Sequence, residues 1–454
     1  MHNAECRIKS SFPNSAFLIL NSALIRGVIM SDNNFENDVE TNTYNPDDIV
    51  ANTTIADVYR ADKQLSGIVR KTKLIHSDFF SELSGNEVYL KPENLQHTGA
   101  FKLRGAYNKL SQLTEEERSK GVITASAGNH AQGVAYAAQK LGIKATICMP
   151  ATTPILKVEA TRSYGVEVEL YGDSFDDAAA HSLELQKEHG YVYVHPFNDR
   201  EVLLGQGTTA LEIINELKDV DAILVPVGGG GFVSGVALAT KMVSPHVKVI
   251  GVEPENAACM KAALDAGRIV TLESADTVAD GCAVKTAGEL TFAFCKKYLD
   301  EIITVNEMEI MSALLSLIEK HKLIAEGAGV LSLAALSKLP FKDKKVAAIV
   351  SGGNIDISTI SALIDKALIA RGRIFCFAVM LPDKPGQLLN VSQILTDENA
   401  NVIKLEHNQA RVTDSFKKVV LEVTVETNNQ DHINRIIKAL NDHGYEIEQI
   451  DLLR

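Results

Sequence analysis

The sequence contains no tryptophan and only 6% aromatic residues, and it has neither a cluster of cysteines nor an apolar run suited to a membrane. Its six cysteines are scattered without C-x-x-C spacing, which argues against structural zinc and disulfides and favours the reducing cytoplasm. The longest uncharged stretch in the middle of the chain, residues 222–240, carries Pro226 and five glycines and is a poor membrane span. We therefore expect a cytoplasmic protein without a membrane partner.

Positive charge is also scarce. The 454 residues include 45 Lys and Arg and 58 Asp and Glu, which gives a net charge of −13. So acidic a surface disfavours the electrostatic capture of nucleic acid or anionic lipid. The remaining composition, 46% hydrophobic and 23% charged, is that of a globular protein with a sizeable core. A small-molecule partner is the expectation, and a nucleic-acid partner is not.

Three regions differ in their residue pattern. Residues 1–50 are predicted to form a disordered N-terminal tail, because residues 31–48 hold six acids, five asparagines and no Lys or Arg. From residue 51 to residue 370, short β-branched runs alternate with Ala-rich helical segments, which predicts an α/β region with open, mostly parallel sheets. Residues 373–454 follow the order β-α-β-β-α-β, which predicts a ferredoxin-like α+β domain.

A run of four glycines, Gly228–Gly231, follows the predicted strand AILVPV and precedes a helix. Successive backbone N–H groups in such a turn can converge on a phosphate, aided by the helix N-terminus. The run matches neither the P-loop pattern nor G-x-G-x-x-G, so nucleotide binding gains little support. Tight packing between strand and helix is the other interpretation, and the sequence leaves both open.

Three further segments carry candidate chemistry. Lys102 lies among apolar neighbours in GAFKLRG, a setting that lowers the pKa of an amine and makes it a nucleophile. The turn SAGNHAQG exposes polar side chains between a strand and a helix, and VSGGN places Ser351 at the end of the strand KVAAIV. Ligands bind at the ends of parallel strands in open α/β sheets, so these segments are expected to meet.

Taken together, these motifs resemble those of the fold-type II pyridoxal-phosphate enzymes, and most closely those of the threonine dehydratases (threonine ammonia-lyases), over residues 55–368. The C-terminal region, with LPDKPGQL at its first strand–helix turn, resembles an ACT regulatory domain. The resemblance implies pyridoxal 5′-phosphate as cofactor and a catalytic region of two domains, with a smaller subdomain of about residues 98–197 inserted in the larger one. It also implies a homodimer or homotetramer with an amino-acid effector at the C-terminal domain.

The resemblance assigns the cofactor site residue by residue. Lys102 is expected to bind the cofactor covalently and to act as the general base in catalysis. Phe101 and Gly281 are expected to sandwich the cofactor ring, and Asn129 is expected to bond its 3′ oxygen. Ser351 is the expected partner of the ring nitrogen. The expected phosphate cradle consists of Gly228, Gly229, Gly230 and Gly231. A neutral hydroxyl beside the ring nitrogen favours loss of a β-leaving group over a persistent carbanion.

The substrate side is assigned in the same way. The loop Ser126, Ala127, Gly128, Asn129 and His130 is expected to hold the substrate carboxylate. Phe197 in HPFND is interpreted either as a pocket wall near the substrate side chain or as simple core packing. Glu326 in AEGAG matches an acid near the site in relatives.

Two positions depart from the patterns of related enzymes. Serine racemases carry a second serine where this chain has Ala127, and that serine is the base on the opposite face, so racemisation is not expected. Glu253 and the Ala257 carbonyl match a cation site of relatives, but Cys259 stands where some of them have aspartate. A divalent site is therefore not expected, and a monovalent cation remains open. The alternative for Glu253 is an acid on the surface at the end of a strand.

The expected reaction is deamination of L-threonine to 2-oxobutanoate and ammonia, and of L-serine to pyruvate, under allosteric control by an amino acid. Two alternatives stay open. One is a serine-specific dehydratase or racemase, and the other is a catalytically idle amino-acid sensor that uses the ferredoxin-like domain. The presence of Lys102, Asn129, Gly228–Gly231 and Ser351 argues against the sensor, because a sensor need not keep them.

Overall fold

The computed structural model describes residues 45–408 and 418–450. Its strands are β1 Ile75–His76, β2 Glu87–Pro92, β3 Val122–Ala125, β4 Ala145–Met149, β5 Glu167–Leu170, β6 Val192–Tyr193, β7 Ala222–Pro226, β8 Lys248–Pro254, β9 Glu301–Val305, β10 Lys345–Val350, β11 Ile374–Pro382, β12 Asn401–Asn408, β13 Lys418–Glu426 and β14 Ile447–Gln449.

The α-helices are α1 Pro46–Asn52, α2 Ile55–Leu65, α3 Asp78–Ser84, α4 Lys102–Ser111, α5 Glu115–Lys120, α6 Asn129–Leu141, α7 Ile155–Arg162, α8 Phe175–His189, α9 Arg200–Glu216, α10 Gly231–Val243, α11 Cys259–Ala266, α12 Glu289–Tyr298, α13 Glu307–His321, α14 Leu331–Ala334, α15 Ile357–Ala370, α16 Gln387–Asp397 and α17 Gln430–Asp442. Within the described ranges, no helix has the length and hydrophobicity needed to cross a bilayer.

Two open sheets form the larger part of the molecule. The six-stranded sheet has the order β1-β2-β10-β7-β8-β9 and is parallel except for β1. The four-stranded sheet, β5-β4-β3-β6, is entirely parallel and lies in the chain between β2 and β7. The predicted fold class, open and mostly parallel sheets in an α/β region, is confirmed.

Both faces of the six-stranded sheet are covered, as its sequence pattern requires. Alternate residues of a strand point to opposite faces. In β7, Ile223 packs into one core and Leu224 into the core on the other face, and Ala347 and Ala348 of β10 divide in the same way. Continuous apolar runs such as AILVP are typical of strands buried on both faces.

The C-terminal region forms a separate antiparallel sheet with the order β12-β13-β11-β14 and two helices, α16 and α17. The predicted β-α-β-β-α-β order is therefore confirmed. At the junction between this domain and the larger part, two arginines contact α13. Arg371 Nη2 donates to the Ser312 carbonyl oxygen at 2.6 Å and to Ser316 Oγ at 2.5 Å, both on α13, and Arg373 pairs with Glu319.

The predicted disordered tail falls mostly outside the described residues, because 1–44 are not described. Its boundary at residue 50 is wrong, since 46–50 belong to α1. Pro46 is suited to the first helical position, the Asn45 side chain caps the helix by accepting from the Asp47 N–H, and Val50 is buried. Two of the six acids that suggested a solvated tail, Asp47 and Asp48, lie in the first turn of the helix, where the helix dipole favours negative charge.

Candidate active site

A cavity of about 750 Å³ opens at the carboxyl ends of β3, β7 and β10. The four segments singled out in the sequence all line it, and so do Phe197, Gly281 and Glu326. Each motif directly follows a strand or begins a helix, so the ends of the two sheets bring together residues that are far apart in the chain. This is the position in which open α/β sheets bind their ligands.

The glycine loop Gly228–Gly231 connects β7 to α10, and its carbonyl groups are held by the protein. Thr291 Oγ1 donates to the Gly229 carbonyl at 2.7 Å, and the Ser234 N–H donates to the Gly230 carbonyl at 2.9 Å. Among the described residues, no hydrogen-bond acceptor meets the four backbone N–H groups of the loop. Four free donors beside a helix N-terminus are suited to a phosphate group.

Side chains would not fit in this loop. A Cβ at Gly229 would lie 2.5 Å from ring atoms of Phe197, and one at Gly230 would lie 2.4 Å from Met260 Cε. Gly230 also has φ +93°, a conformation that L-residues with a side chain rarely adopt. The glycines are therefore required by close packing, as the alternative interpretation held, and they also leave the backbone donors free.

Lys102 begins α4, and its Nζ donates to the carbonyl oxygen of Pro196 at 2.7 Å. Burial lowers the pKa of Lys102 from its ordinary value of 10.5 to about 8, and this effect outweighs the opposing influence of Cys282 and Glu326. At pH 7 about a tenth of the amine is therefore unprotonated, far more than for an ordinary lysine. An unprotonated amine is the form that attacks a carbonyl carbon and that accepts a proton.

The helix that carries Lys102 is anchored by a buried ion network. The Arg104 guanidinium is fully buried and pairs with both oxygens of Glu93 at 2.8 and 2.9 Å and with both oxygens of Glu212 at 2.8 and 3.0 Å. Lys91 Nζ adds a 2.6 Å contact to Glu212. Two cations thus balance two anions next to the start of α4. The sequence analysis missed this network, because its members are up to 121 positions apart.

Phe101 and Gly281 both line the cavity, and so does Phe232, which the sequence analysis did not single out. The ring of Phe101 stacks on Phe232, with ring centroids 3.8 Å apart and planes inclined by 7°. Gly281 lies close to Ala328, since a Cβ there would be 3.1 Å from the Ala328 Cβ. Phe232 directly follows the glycine run, and this position is the only feature of the sequence that could have indicated its place in the site.

Asn129 stands at the first position of α6 and is held from two sides. Its Nδ2 donates to Glu326 Oε1 at 2.6 Å, and its Oδ1 accepts from Asn354 Nδ2 at 2.8 Å. Burial raises the pKa of Glu326 to about 7. Ser351 is buried at the end of β10, and its carbonyl accepts from the Phe101 N–H at 3.1 Å. The cavity therefore offers amide, carboxyl and hydroxyl groups at fixed positions.

The loop Ser126–His130 offers backbone donors more than side-chain charge. His130 Nε2 donates to the Val194 carbonyl at 2.9 Å, and burial lowers the pKa of His130 to about 3, so the ring is neutral. Its Nδ1 is buried and lacks a partner among the described residues. The imidazole therefore has no N–H left for a carboxylate. This geometry favours the N–H groups of Ala127 and Asn129, which meet no acceptor among the described residues, rather than His130 itself, as donors to an anion.

Phe197 belongs to the turn His195–Asn198, and its ring faces the glycine loop. His195 Nδ1 accepts the Asn198 N–H at 2.8 Å and the Phe197 N–H at 3.2 Å, and burial lowers the pKa of His195 to about 4. The turn is thus fixed by a neutral histidine. Phe197 lines the cavity, and its ring also packs on Gly229, so the two interpretations of this residue are both represented.

Glu253 is completely buried, and its carboxylate caps a helix. One oxygen accepts from the Met260 N–H at 2.9 Å and the other from the Lys261 N–H at 2.8 Å, at the start of α11. The interpretation as a strand-end surface acid is therefore wrong. In the described part of the chain, no group of three His, Cys, Asp or Glu is arranged to hold a metal ion. The cation site at Glu253 and Ala257 stays a prediction.

The residues present fit the cofactor that the resemblance implies. Free N–H donors beside a helix N-terminus suit its phosphate, and the half-buried Lys102 amine suits its aldehyde. The neutral hydroxyl of Ser351 and the amide of Asn129 supply polar contacts within the same cavity. The glycine loop is the strongest of these observations, because a Cβ at any of its four positions would lie 3.0 Å or less from neighbouring protein atoms.

Comparisons with known proteins agree with this geometry. The chain matches the model of the family "Pyridoxal-phosphate dependent enzyme" over residues 65–352. The L-threonine ammonia-lyase of Thermotoga maritima is 48% identical over 397 residues, 87% of this chain and 98% of that protein. Threonine deaminase isoform 2 from Solanum lycopersicum, in its processed form, has a TM-score of 0.66 at 40% identity and covers 69% of this chain and 94% of its own. Maize serine racemase has the same TM-score at 35% identity, covering 70% of this chain and 98% of its own.

Proposed function

The chain belongs to the pyridoxal-phosphate dependent enzymes, and from that premise we propose that it is an L-threonine ammonia-lyase, which converts L-threonine to 2-oxobutanoate and ammonia. L-Serine, converted to pyruvate, is the second substrate. The observation that carries the proposal is the meeting of the Lys102 amine, the glycine loop and Ser351 in one cavity. The relative from Thermotoga maritima supports the choice of substrate.

The cofactor, when bound, supplies an electron sink that stabilises negative charge at the α-carbon of an amino acid. The protein supplies position and proton transfer. The free N–H groups of Gly228–Gly231 would hold the phosphate, and the loop Ser126–His130 would hold the substrate carboxylate through the N–H groups of Ala127 and Asn129, which meet no acceptor among the described residues. Lys102 Nζ accepts the α-proton, a role to which its lowered pKa of about 8 is suited.

Elimination rather than racemisation follows from two side chains. Ser351 offers a neutral hydroxyl, which does not stabilise a protonated ring nitrogen as a carboxylate would, and prompt loss of the β-hydroxyl is favoured. Ala127 lines the cavity and has no group that carries a proton to the opposite face. The likeness in fold to maize serine racemase is therefore not taken to extend to racemisation.

Threonine and serine differ by one methyl group, which an apolar pocket distinguishes by about 1–3 kcal/mol. We expect threonine to be preferred, with serine still turned over. The test is to incubate the purified enzyme with each L-amino acid and to measure 2-oxo acid and D-amino acid. A higher kcat/KM for serine than for threonine, or substantial D-serine, would contradict the proposal. Ala127→Ser is the matched variant and should gain racemisation.

We further propose that residues 373–454 are a regulatory domain that binds an amino acid near the turn between β11 and α16, residues 383–386. Exposed apolar side chains on this domain, Met380, Leu389 and Ile403, support pairing between copies in a homodimer or homotetramer. Isoleucine is the first effector to assay. A chain that ends after Gly372 should keep its turnover and lose any response to the effector. A retained response would place the effector site elsewhere.

We propose the cytoplasm as the location of the enzyme. The thiols of Cys259, Cys282 and Cys295 are buried and unpaired. Thiols of this kind are typical of a reducing compartment.

A further inference from the structure

Three segments of the active site meet at Asn354, four residues beyond the end of β10. Its side-chain Nδ2 donates to the Thr98 carbonyl oxygen at 2.7 Å and to Asn129 Oδ1 at 2.8 Å. Thr98 lies on the loop that leads to Lys102, and Asn129 begins α6 in the smaller sheet domain. Asn354 therefore connects the loop before the amine with the helix that carries the candidate cofactor contact.

These contacts fix the orientation of two amide groups. A backbone carbonyl only accepts hydrogen bonds, so Asn354 must present its NH₂ group to Thr98. The second N–H of Asn354 then requires an oxygen from its neighbour, and Asn129 must present its Oδ1. The NH₂ group of Asn129 is thereby turned toward Glu326, whose Oε1 accepts at 2.6 Å. One N–H of Asn129 remains, and no described residue accepts from it.

Packing prevents Asn354 from moving aside. A Cβ at Gly99 would lie 2.4 Å from Asn354 Oδ1, and Gly99 has φ +72°. The Gly353 N–H donates to the Gly99 carbonyl at 2.9 Å, which fastens the two loops together. At the other end, a Cβ at Gly352 would lie 2.4 Å from Glu326 Oε1. Glycines thus make room for the chain of hydrogen bonds on both sides.

We infer that Asn354 is a positioning residue that sets the amide orientation of Asn129, so that Asn129 offers an N–H rather than a carbonyl to the 3′ oxygen of pyridoxal phosphate. The inference rests on the proposed function only in that the cofactor must bind in this cavity. In the reversed orientation, Asn129 Oδ1 would face the 3′ oxygen of the cofactor, and no hydrogen bond would form between the two acceptors. Asn354 acts through Asn129 and itself contacts only protein groups in this arrangement.

The test compares Asn354→Asp with Asn354→Ala by titrating each apoprotein with pyridoxal phosphate. The isosteric carboxylate accepts from Asn129 and reverses its amide, whereas alanine only leaves it free. We expect the Kd for the cofactor to rise about 10-fold or more in Asn354→Asp and by a smaller factor in Asn354→Ala. A packing role would give the opposite order, because alanine removes more volume.

The pH dependence gives a second readout. Partial burial and the nearby Glu326 carboxyl raise the pKa of the new carboxylate above that of a free aspartate, so as the pH falls toward that pKa the carboxylate gains a proton and regains one donor. The ratio of the Asn354→Asp Kd to the wild-type Kd should therefore decrease, by about threefold or more, while the ratio for Asn354→Ala stays constant. Asn434→Asp, which makes the same change at an exposed position of α17, should leave the Kd unchanged. Thermal unfolding of each apoprotein establishes that it is folded.

The inference would be overturned if Asn354→Asp bound the cofactor as tightly as wild type, or more tightly than Asn354→Ala at every pH. These readouts do not involve threonine. If the wild type binds the cofactor but leaves threonine unchanged, the proposed function fails, and the order of the two Kd values still decides the role of Asn354. If the wild type binds no pyridoxal phosphate, both are overturned.

Discussion

Lys102 Nζ lies 2.7 Å from the carbonyl oxygen of Pro196, and the next residue, Phe197, covers Gly229 with its ring. In the turn after β6, Pro196 therefore accepts a hydrogen bond from the Lys102 amine, and Phe197 packs on the glycine loop. The candidate nucleophile and the phosphate cradle are positioned by the same segment, although they come from α4 and from the connection between β7 and α10.

The first prediction concerns this packing. Gly229→Ala places a Cβ 2.5 Å from the Phe197 ring, so either the ring or the loop must shift. We expect the Kd for pyridoxal phosphate to rise at least about 10-fold, because the cradle donors lose their alignment. Titration of the apoprotein measures this. The double variant Gly229→Ala/Phe197→Ala should recover part of the affinity, and an unchanged Kd in the single variant would contradict the role of the loop.

The second prediction concerns the buried ions behind Lys102. Glu93→Gln removes one of the two anions that balance Arg104 and Lys91 in a fully buried position. Breaking a buried pair on one side leaves an uncompensated charge, and we expect a loss of about 3 kcal/mol in the free energy of unfolding. Denaturant unfolding measures it. Glu159→Gln, which breaks an exposed pair with Arg162, is the control and should change stability little.

Most of the site could be predicted from the sequence because its parts are local. Within each motif the residues are adjacent in the chain: the loop Ser126–His130 follows β3, Gly228–Gly231 follow β7, and Ser351 follows β10. Lys102 likewise has apolar neighbours on both sides. The parts that could not be predicted depend on distant contacts. Glu212 meets Arg104 across 108 positions, and Asn354 meets Asn129 across 225. The sequence likewise could not show that the Glu253 carboxylate meets the backbone of α11 rather than solvent.

The third prediction concerns the rate at which the apoprotein takes up its cofactor. Covalent attachment requires the unprotonated amine, and burial lowers the pKa of Lys102 to about 8. The rate of attachment should therefore rise with pH and level off above about 8, as followed by the absorbance of the bound cofactor. A free lysine side chain, with a pKa of 10.5, is the control and should keep rising to much higher pH. A protein rate that follows the free amine would contradict the account.

The fourth prediction concerns the stability of the apoprotein as a function of pH. Burial raises the pKa of Glu326 from 4.5 to about 7, so the folded state keeps a proton that the unfolded state loses between these values. The contribution of Glu326 is present below about 4.5 and is lost as the pH rises through about 7. Gln cannot ionise. The Tm of Glu326→Gln relative to wild type should therefore increase from pH 5 to pH 8.

The control for this experiment is Glu167→Gln, because Glu167 is exposed on the smaller sheet. Its Tm relative to wild type should not vary over the same range. A relative Tm of Glu326→Gln that falls as the pH rises would show that the folded protein favours the ionised carboxylate, contrary to the effect of burial.

The most direct test of the central claim is the turnover of L-threonine by wild type and by Lys102→Ala, with 2-oxobutanoate measured after incubation with pyridoxal phosphate. The account predicts that the wild type produces 2-oxobutanoate and that Lys102→Ala loses turnover at least about a thousandfold while its thermal unfolding remains cooperative, because both attachment and proton transfer depend on Nζ. A folded Lys102→Ala protein that turns over threonine at the wild-type rate would contradict it.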